Sequence, residues 1–219
     1  QRLTDGVMLN KPIRINKRTF FPVAYWDKVY ESLKSPQKPD MVGVNIFIDT
    51  LSKVSRIGSI PIEKIVEESS EPQIVYLKNE NLWALIRTKQ GIYESFSTDR
   101  GKSWTQSSPF KGIGPTCTSR FHVSKLKSGR LLLIANASRK RNNLTAFLSE
   151  DDGKTWPYKC VIDTRDGVSY PDAAQNADGQ IYIVYDYNRF SNKEIIMVKL
   201  TEDQIMKNQL ILSQQIIDK

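Results

Sequence analysis

Ser97-Thr98-Asp99-Arg100-Gly101-Lys102-Ser103-Trp104 and Ser149-Glu150-Asp151-Asp152-Gly153-Lys154-Thr155-Trp156 both read S-x-D-x-G-K-[ST]-W, 52 positions apart (149 − 97). A turn repeated at about that period is the sequence sign of a β-propeller blade, a four-stranded unit of roughly 40–50 residues. Each residue type has a task in such a turn. The aspartate accepts hydrogen bonds from amides of its own loop, the glycine takes a positive φ, and the tryptophan packs the hairpin onto the blade. On this reading Ser97, Asp99, Gly101 and Trp104, with Ser149, Asp151, Gly153 and Trp156, build the fold and do no chemistry.

The sequence around these turns breaks into short β-branched and aromatic runs punctuated by turn residues, the all-β pattern. Strands are predicted over 18–26, 73–77, 82–88, 130–135, 181–187 and 194–200. Lys127-Ser128-Gly129-Arg130 and Ala177-Asp178-Gly179-Gln180 place a glycine between two apolar runs, where a tight hairpin needs it. A short helix is predicted at Thr201-Glu202-Asp203-Gln204-Ile205, with Thr201 as its cap and acidic residues in its first turn.

Composition narrows the function classes. In 219 residues, 39% are hydrophobic and 10% aromatic, enough for a packed core, and no apolar run reaches the roughly 18–20 residues of a bilayer span. A membrane span and wholesale disorder are excluded. The net charge of +8 suits an anionic partner. The basic residues are scattered, however, and no nucleic-acid-binding motif accompanies them, so nucleic acid is not the expected partner. Cys117 and Cys160 with the single histidine, His122, cannot make a zinc site of the usual kind; both cysteines read as buried thiols, with one disulfide in an oxidising compartment as the alternative. No cofactor or metal is expected. No charged segment followed by an apolar stretch opens the chain, so any signal peptide is expected to have been removed or never present.

The two octapeptides resemble Asp-boxes, the repeats of the sialidase (neuraminidase) superfamily, and the resemblance continues through most of the chain. Met8-Leu9-Asn10-Lys11-Pro12 is similar to the start of a pocket-facing blade in bacterial sialidase-like proteins. Glu71-Pro72-Gln73-Ile74-Val75 with Leu85-Ile86-Arg87-Thr88 resembles the blade carrying the family's glutamate and second carboxylate-binding arginine. Thr118-Ser119-Arg120-Phe121-His122 resembles the segment with the third arginine, and Ser169-Tyr170-Pro171-Asp172 the segment with the nucleophilic tyrosine.

The resemblance implies an all-β, six-bladed propeller, of which blades at about 10–62, 71–110, 118–163 and 168–200 are recognisable, with 201–219 as a helix and tail. Four blades are fewer than six, and the family's first arginine and its aspartate acid/base have no match before Asn10. The chain is therefore expected to be a C-terminal portion of a longer protein, or else to complete its propeller with blades from a partner chain, since an open arc would expose strand edges.

The implied activity is that of an exo-α-sialidase: retaining hydrolysis of a glycan ending in an anionic sugar, outside the cell or in the periplasm. Guanidinium groups suit a sugar carboxylate because the planar fork binds it in two places and keeps its charge. Arg87 and Arg120 are the candidates, with Arg189, His122 and Lys11 lining the pocket. Tyr170 is the candidate nucleophile and Glu71 its base. A phenol is not repelled by the substrate carboxylate, but it ordinarily titrates near pH 10 and so needs a base. Two alternatives stay open: a propeller that binds carbohydrate without catalysis, and a related hydrolase acting on a different sugar.

Overall fold

The computed structural model describes residues 6–26, 43–49, 54–63, 70–209, 211 and 214–218. Parts of the predicted first blade (27–42 and 50–53) and of the C-terminal tail lie outside the described residues. The chain divides into two compact units, residues 1–110 and 111–219.

In the first unit, β1 (Ile13–Ile15), β2 (Arg18–Tyr25), β3 (Gly43–Asp49) and β4 (Val54–Ile60) form one four-stranded sheet in chain order. β5 (Pro72–Tyr76), β6 (Leu82–Thr88), β7 (Gly91–Ser97) and β8 (Ser108–Pro109) form a second in the same way. All neighbours are antiparallel. The core forms where Phe20, Ile46, Ile48 and Ile60 of one sheet meet Ile74, Leu82 and Ile86 of the other, with Trp104 added from the first octapeptide. Gly58 shows how closely backbone meets backbone here. A Cβ at that position would stand 2.2 Å from the Gly101 carbonyl oxygen, so β4 can lie against the octapeptide turn only without a side chain.

The second unit repeats the plan. β9 (His122–Lys125), β10 (Leu131–Asn136), β11 (Leu144–Ser149) and β12 (Tyr158–Asp163) make one sheet; β13 (Val168–Gln175), β14 (Ile181–Tyr187), β15 (Glu194–Leu200) and β16 (Gln215–Asp218) make the other. β10 and β11 are buried at every position, as befits central strands covered on both faces. Their apolar side chains join Val168, Ile181, Ile183, Tyr185, Ile196 and Val198 of the neighbouring sheet in one core. Gly129 and Gly179 turn the two predicted hairpins, each at φ 87°.

The helix α1 (Glu202–Met206) starts with a full capping box: Thr201 accepts from the Gln204 amide, and Gln204 reaches back to the Thr201 amide. Ile205 is its buried anchor, while Glu202 accepts hydrogen bonds from Ser128, Arg130 and Gln175. Beyond the helix the chain returns, and β16 pairs with β15 as the fourth strand of the last sheet. The sequence reading closes that blade at residue 200. A four-residue strand with every side chain exposed offers no alternation of polar and apolar residues to betray it.

Both octapeptides form the same turn, between the third and fourth strands of their sheets. Ser97 Oγ donates to Asp99 and accepts from the Gly101 amide; Asp99 also accepts from the Lys102 and Ser103 amides and the Ser103 hydroxyl. Ser149, Asp151, Gly153 and Thr155 repeat the pattern, and each tryptophan indole donates to the glycine carbonyl, at 3.0 Å in the first turn and 3.1 Å in the second. The glycines stand at φ 84° and 85°, and the residues before them, Arg100 and Asp152, at 62° and 61°. Hydrogen bonds from Ser103, outweighing a small desolvation, bring the Asp99 carboxyl down to about 2. At Asp151 desolvation is the largest single influence and acts upward, but the Thr155 and Ser149 hydrogen bonds together overcome it and also give about 2.

Candidate functional site

Glu71 lies one residue before β5 with its side chain 1% exposed. A carboxylate so buried needs a cationic partner, and Arg87 on β6 provides it, donating from Nη1 to Oε1 at 2.7 Å. The backbone on either side of Glu71 is clamped by the N-terminal segment. Trp26 Nε1 donates to the Ser70 carbonyl and Asn10 Nδ2 to the Pro72 carbonyl, both at 3.0 Å. The Asn10 within the quoted Asn10-Lys11-Pro12 motif is thus a buried positioning side chain, while Lys11 beside it is exposed.

In the second unit, Tyr170 stands on a β-bulge. β13 and β14 pair at Ser169↔Asp186 and resume at Asp172↔Val184, so Tyr170 and Pro171 together face Tyr185. The bulge holds Tyr170 at φ 55°, a left-handed conformation that a bulky side chain rarely adopts. Its ring lies under two guanidinium groups, with Arg189 3.9 Å and Arg141 5.3 Å from the centroid. Buried Ser169 organises them: its hydroxyl donates to Asp186 Oδ1 at 2.7 Å and accepts from Arg141 and Arg189, each at 3.3 Å. Asp186 also forms an ion pair with Arg189.

Tyr185, opposite the bulge, has the contrary character. It is a core residue whose hydroxyl donates to Asp163 at 2.9 Å. Burial first, and then the adjacent Asp163 carboxylate, push its phenol far above the ordinary tyrosine value. Asp163 stays ionised because hydrogen bonds from Arg165 and Tyr185 together outweigh its burial and lower it. Of the two tyrosines at the bulge, Tyr185 is thus held in the core as a neutral hydrogen-bond donor, whereas Tyr170 lies against the guanidinium groups.

Two residues past Tyr170, Asp172 joins β13 to β9. Its Oδ1 lies 3.0 Å from His122 Nδ1 and accepts from the Ala173 amide at 2.8 Å; its Oδ2 is 4.0 Å from Arg120 Nη2. His122 is buried, and its other nitrogen, Nε2, is 2.9 Å from Ser124 Oγ.

The predicted residues thus fall into two groups, Glu71 with Arg87 in the first unit, and Arg120, His122, Tyr170 and Arg189 in the second. Ser169 and Asp172 belong to the motif that holds Tyr170, whereas Arg141, Asp186 and Ser124 are not among the predicted site residues. Two of these had a usable signal: Ser124 is two residues from His122, so both side chains share one face of a strand, and Arg141 closes the basic run Arg139-Lys140-Arg141.

Successive four-stranded antiparallel meanders, with a recurring Ser/Asp/Gly/Trp turn between third and fourth strands, define a chain of β-propeller blades. The chain belongs to the BNR repeat-like domain family, whose model matches residues 4–183. No curated protein matches it. Among solved structures it is similar to the intramolecular trans-sialidase from Ruminococcus gnavus, solved with oseltamivir carboxylate (21% identity, TM-score 0.65), covering 87% of this chain and 42% of that one. The Hadza microbial sialidase Hz136 aligns at 17% identity and TM-score 0.65, over 89% of this chain and 37% of that one. The exo-β-1,3-galactanase from Phanerochaete chrysosporium aligns at 11% identity and TM-score 0.66, over 98% of this chain and 51% of its own. The chain thus spans about half or less of the length of these three structures.

Proposed function

We propose that this chain forms part of a retaining exo-glycoside hydrolase acting on glycans that end in an anionic sugar, with Tyr170 as nucleophile and Glu71 as the catalytic base. The observation that carries the reading is Tyr170 itself: a left-handed aromatic residue on a bulge, with the Arg141 and Arg189 guanidinium groups against its ring. Backbone strain of this kind costs about 1–3 kcal/mol and tends to persist where it serves a site. Cationic groups around the ring oppose the negative charge that a phenol develops as it attacks an anomeric carbon. Arg87 and Lys11 in the first unit, and Arg120, Arg189 and His122 in the second, are the proposed substrate-binding residues, and any further blades, with the acid/base aspartate, come from elsewhere in a longer protein or from a partner chain. The resemblance to sialidases supports a substrate outside the cell or in the periplasm.

The pairing of the arginines refines the substrate. Arg87 faces Glu71, Arg189 faces Asp186, and Arg120 is 4.0 Å from Asp172, so each predicted guanidinium is already opposed by a protein carboxylate. Arg141, by contrast, forms no ion pair among the described residues; its guanidinium reaches Ser169 and the Tyr170 ring and is the group we assign to the substrate anion. This arrangement favours a single bidentate contact to the sugar carboxylate, and it supports a second reading in which the same nucleophile serves a different acidic sugar.

The deciding measurement is release of sugar from a panel of aryl glycosides, α-sialoside and uronides included, by the chain and by its Tyr170→Phe variant. Turnover that falls at least about 100-fold in the variant supports Tyr170 as nucleophile. Turnover that survives the substitution overturns it.

A further inference from the structure

Asp172, His122 and Ser124 form a hydrogen-bonded relay, of which the glycosidase reading takes only His122, as a lining residue, and we propose that it makes Ser124 an activated nucleophile for acyl transfer from small carboxylic esters. Aspartate, imidazole and hydroxyl stand in the order that nucleophilic serine chemistry needs: 3.0 Å from Asp172 Oδ1 to His122 Nδ1, and 2.9 Å from His122 Nε2 to Ser124 Oγ. The tautomer follows from the partners. Asp172 Oδ1 also accepts the Ala173 amide and Oδ2 faces Arg120, surroundings that hold the carboxylate as an anion, so Nδ1 carries the hydrogen donated to it. Nε2 is then left with its lone pair toward the Ser124 hydroxyl, which donates to it. That is the state in which an imidazole acts as general base, with the carboxylate fixing its orientation.

Burial separates the roles. His122 is 5% exposed and bonded on both sides, so it is held in one orientation with Nε2 beside the hydroxyl. Ser124 is half-buried, which gives a small acyl group access and turns away a bulky one. The rigid parts are strands: His122 and Ser124 share one face of β9, and Asp172 comes from β13, whose bulge follows Ser169 and ends at Asp172.

In the reaction, Ser124 Oγ bonds to the ester carbonyl carbon as its proton passes to His122 Nε2. The carbon–oxygen bond to the alcohol then breaks, and the leaving oxygen takes that proton. Water, deprotonated by the same nitrogen, next attacks the acyl carbon, releases the carboxylic acid and returns the proton to Ser124. No oxidant, metal or cofactor enters the balance.

The test uses the full chain with two probes, 4-nitrophenyl acetate for turnover and an alkyl fluorophosphonate for covalent labelling, read by intact mass and peptide mapping. The expected result is one phosphonyl group on Ser124, and ester hydrolysis that falls about 100-fold or more in Ser124→Ala, the range general-base assistance supplies. Asp172→Asn, which keeps the shape but not the charge, lowers labelling at Ser124 at least 10-fold. Ser124→Cys guards against a variant that fails to fold: acetylation of its thiol, seen as a stoichiometric burst of nitrophenol, supports the relay. A label on another residue, no label at all, or hydrolysis untouched by Ser124→Ala overturns it. None of these readouts depends on glycosidase activity, so either proposal can fall alone.

Discussion

Arg100 and Asp152 stand at φ 62° and 61° in two turns of one sequence, whereas Tyr170 stands at φ 55° in a bulge between the first and second strands of its sheet. The other pairings of first and second strands, β1 with β2, β5 with β6 and β9 with β10, run in unbroken register. The two kinds of left-handed backbone are also held differently. In the octapeptide turns, short polar side chains satisfy the amides of their own loop, twice over and in the same way. At Tyr170, a hydroxyl and two guanidinium groups from separate segments meet around the ring. Strain that recurs with identical hydrogen bonds belongs to the architecture. Strain that occurs once, at the meeting point of charges, marks a place where the fold has been bent toward a task.

The comparison can be broken by substitution. The largest effect on stability is expected for Asp151→Ala, which removes a charged acceptor of hydrogen bonds from Thr155 and Ser149 and destabilises by about 2–3 kcal/mol. Chemical denaturation measures this, and a loss below about 0.5 kcal/mol would show that the turn is not held by its aspartate. Arg141→Ala is the converse case: it should leave the denaturation midpoint nearly unchanged and raise KM about 10-fold for an anionic aryl glycoside, with a smaller effect on kcat. Equal losses in kcat and KM-independent turnover of a neutral glycoside would place Arg141 at the ring and not at the substrate anion.

The smallest effect is an acid titration of stability. Asp99 and Asp151 both lie at about 2, below the ordinary value of 3.8. A depressed carboxyl contributes stability that is complete above its unfolded value and is lost as pH falls through the folded one. Melting temperature should therefore hold level down to about pH 4 and decline toward pH 2, with a shallower decline in Asp99→Asn. An equally steep decline in that variant would assign the acid sensitivity to other carboxylates.

Much of the fold was legible because local chemistry and the repeat agree. Leu82–Thr88, Ile181–Tyr187 and Glu194–Leu200 are strands in the structure at the residues predicted for them. Their apolar side chains alternate or run on between clear turn residues, and nothing in the tertiary structure opposes that preference. β16 escaped because its stability comes from pairing with β15 and not from its own pattern.

The candidate site was legible as a set of segments and not as a set of contacts. Ser169-Tyr170-Pro171-Asp172 announces itself as a motif, but three residues around it act through partners far along the chain. Arg141 is 29 positions before Tyr170 (170 − 141), Asp186 answers Ser169 across a hairpin, and Asp172 answers His122 across two sheets. Ion pairing of the arginines is likewise a property of three dimensions, invisible to residue types alone.

The exposed outer strand β16 has a consequence for how the second unit opens. All four of its side chains face solvent, so its detachment from β15 gives up backbone hydrogen bonds but little apolar burial. Amides that β15 presents to β16 should exchange with deuterium through a local opening of low free energy. Those it presents to β14, between strands rooted in the core by Ile183, Ile196 and Val198, should exchange only when the whole unit unfolds. Over Ile195–Met197, where β15 pairs with β16 as well as with β14, a single strand would thus carry both protection classes.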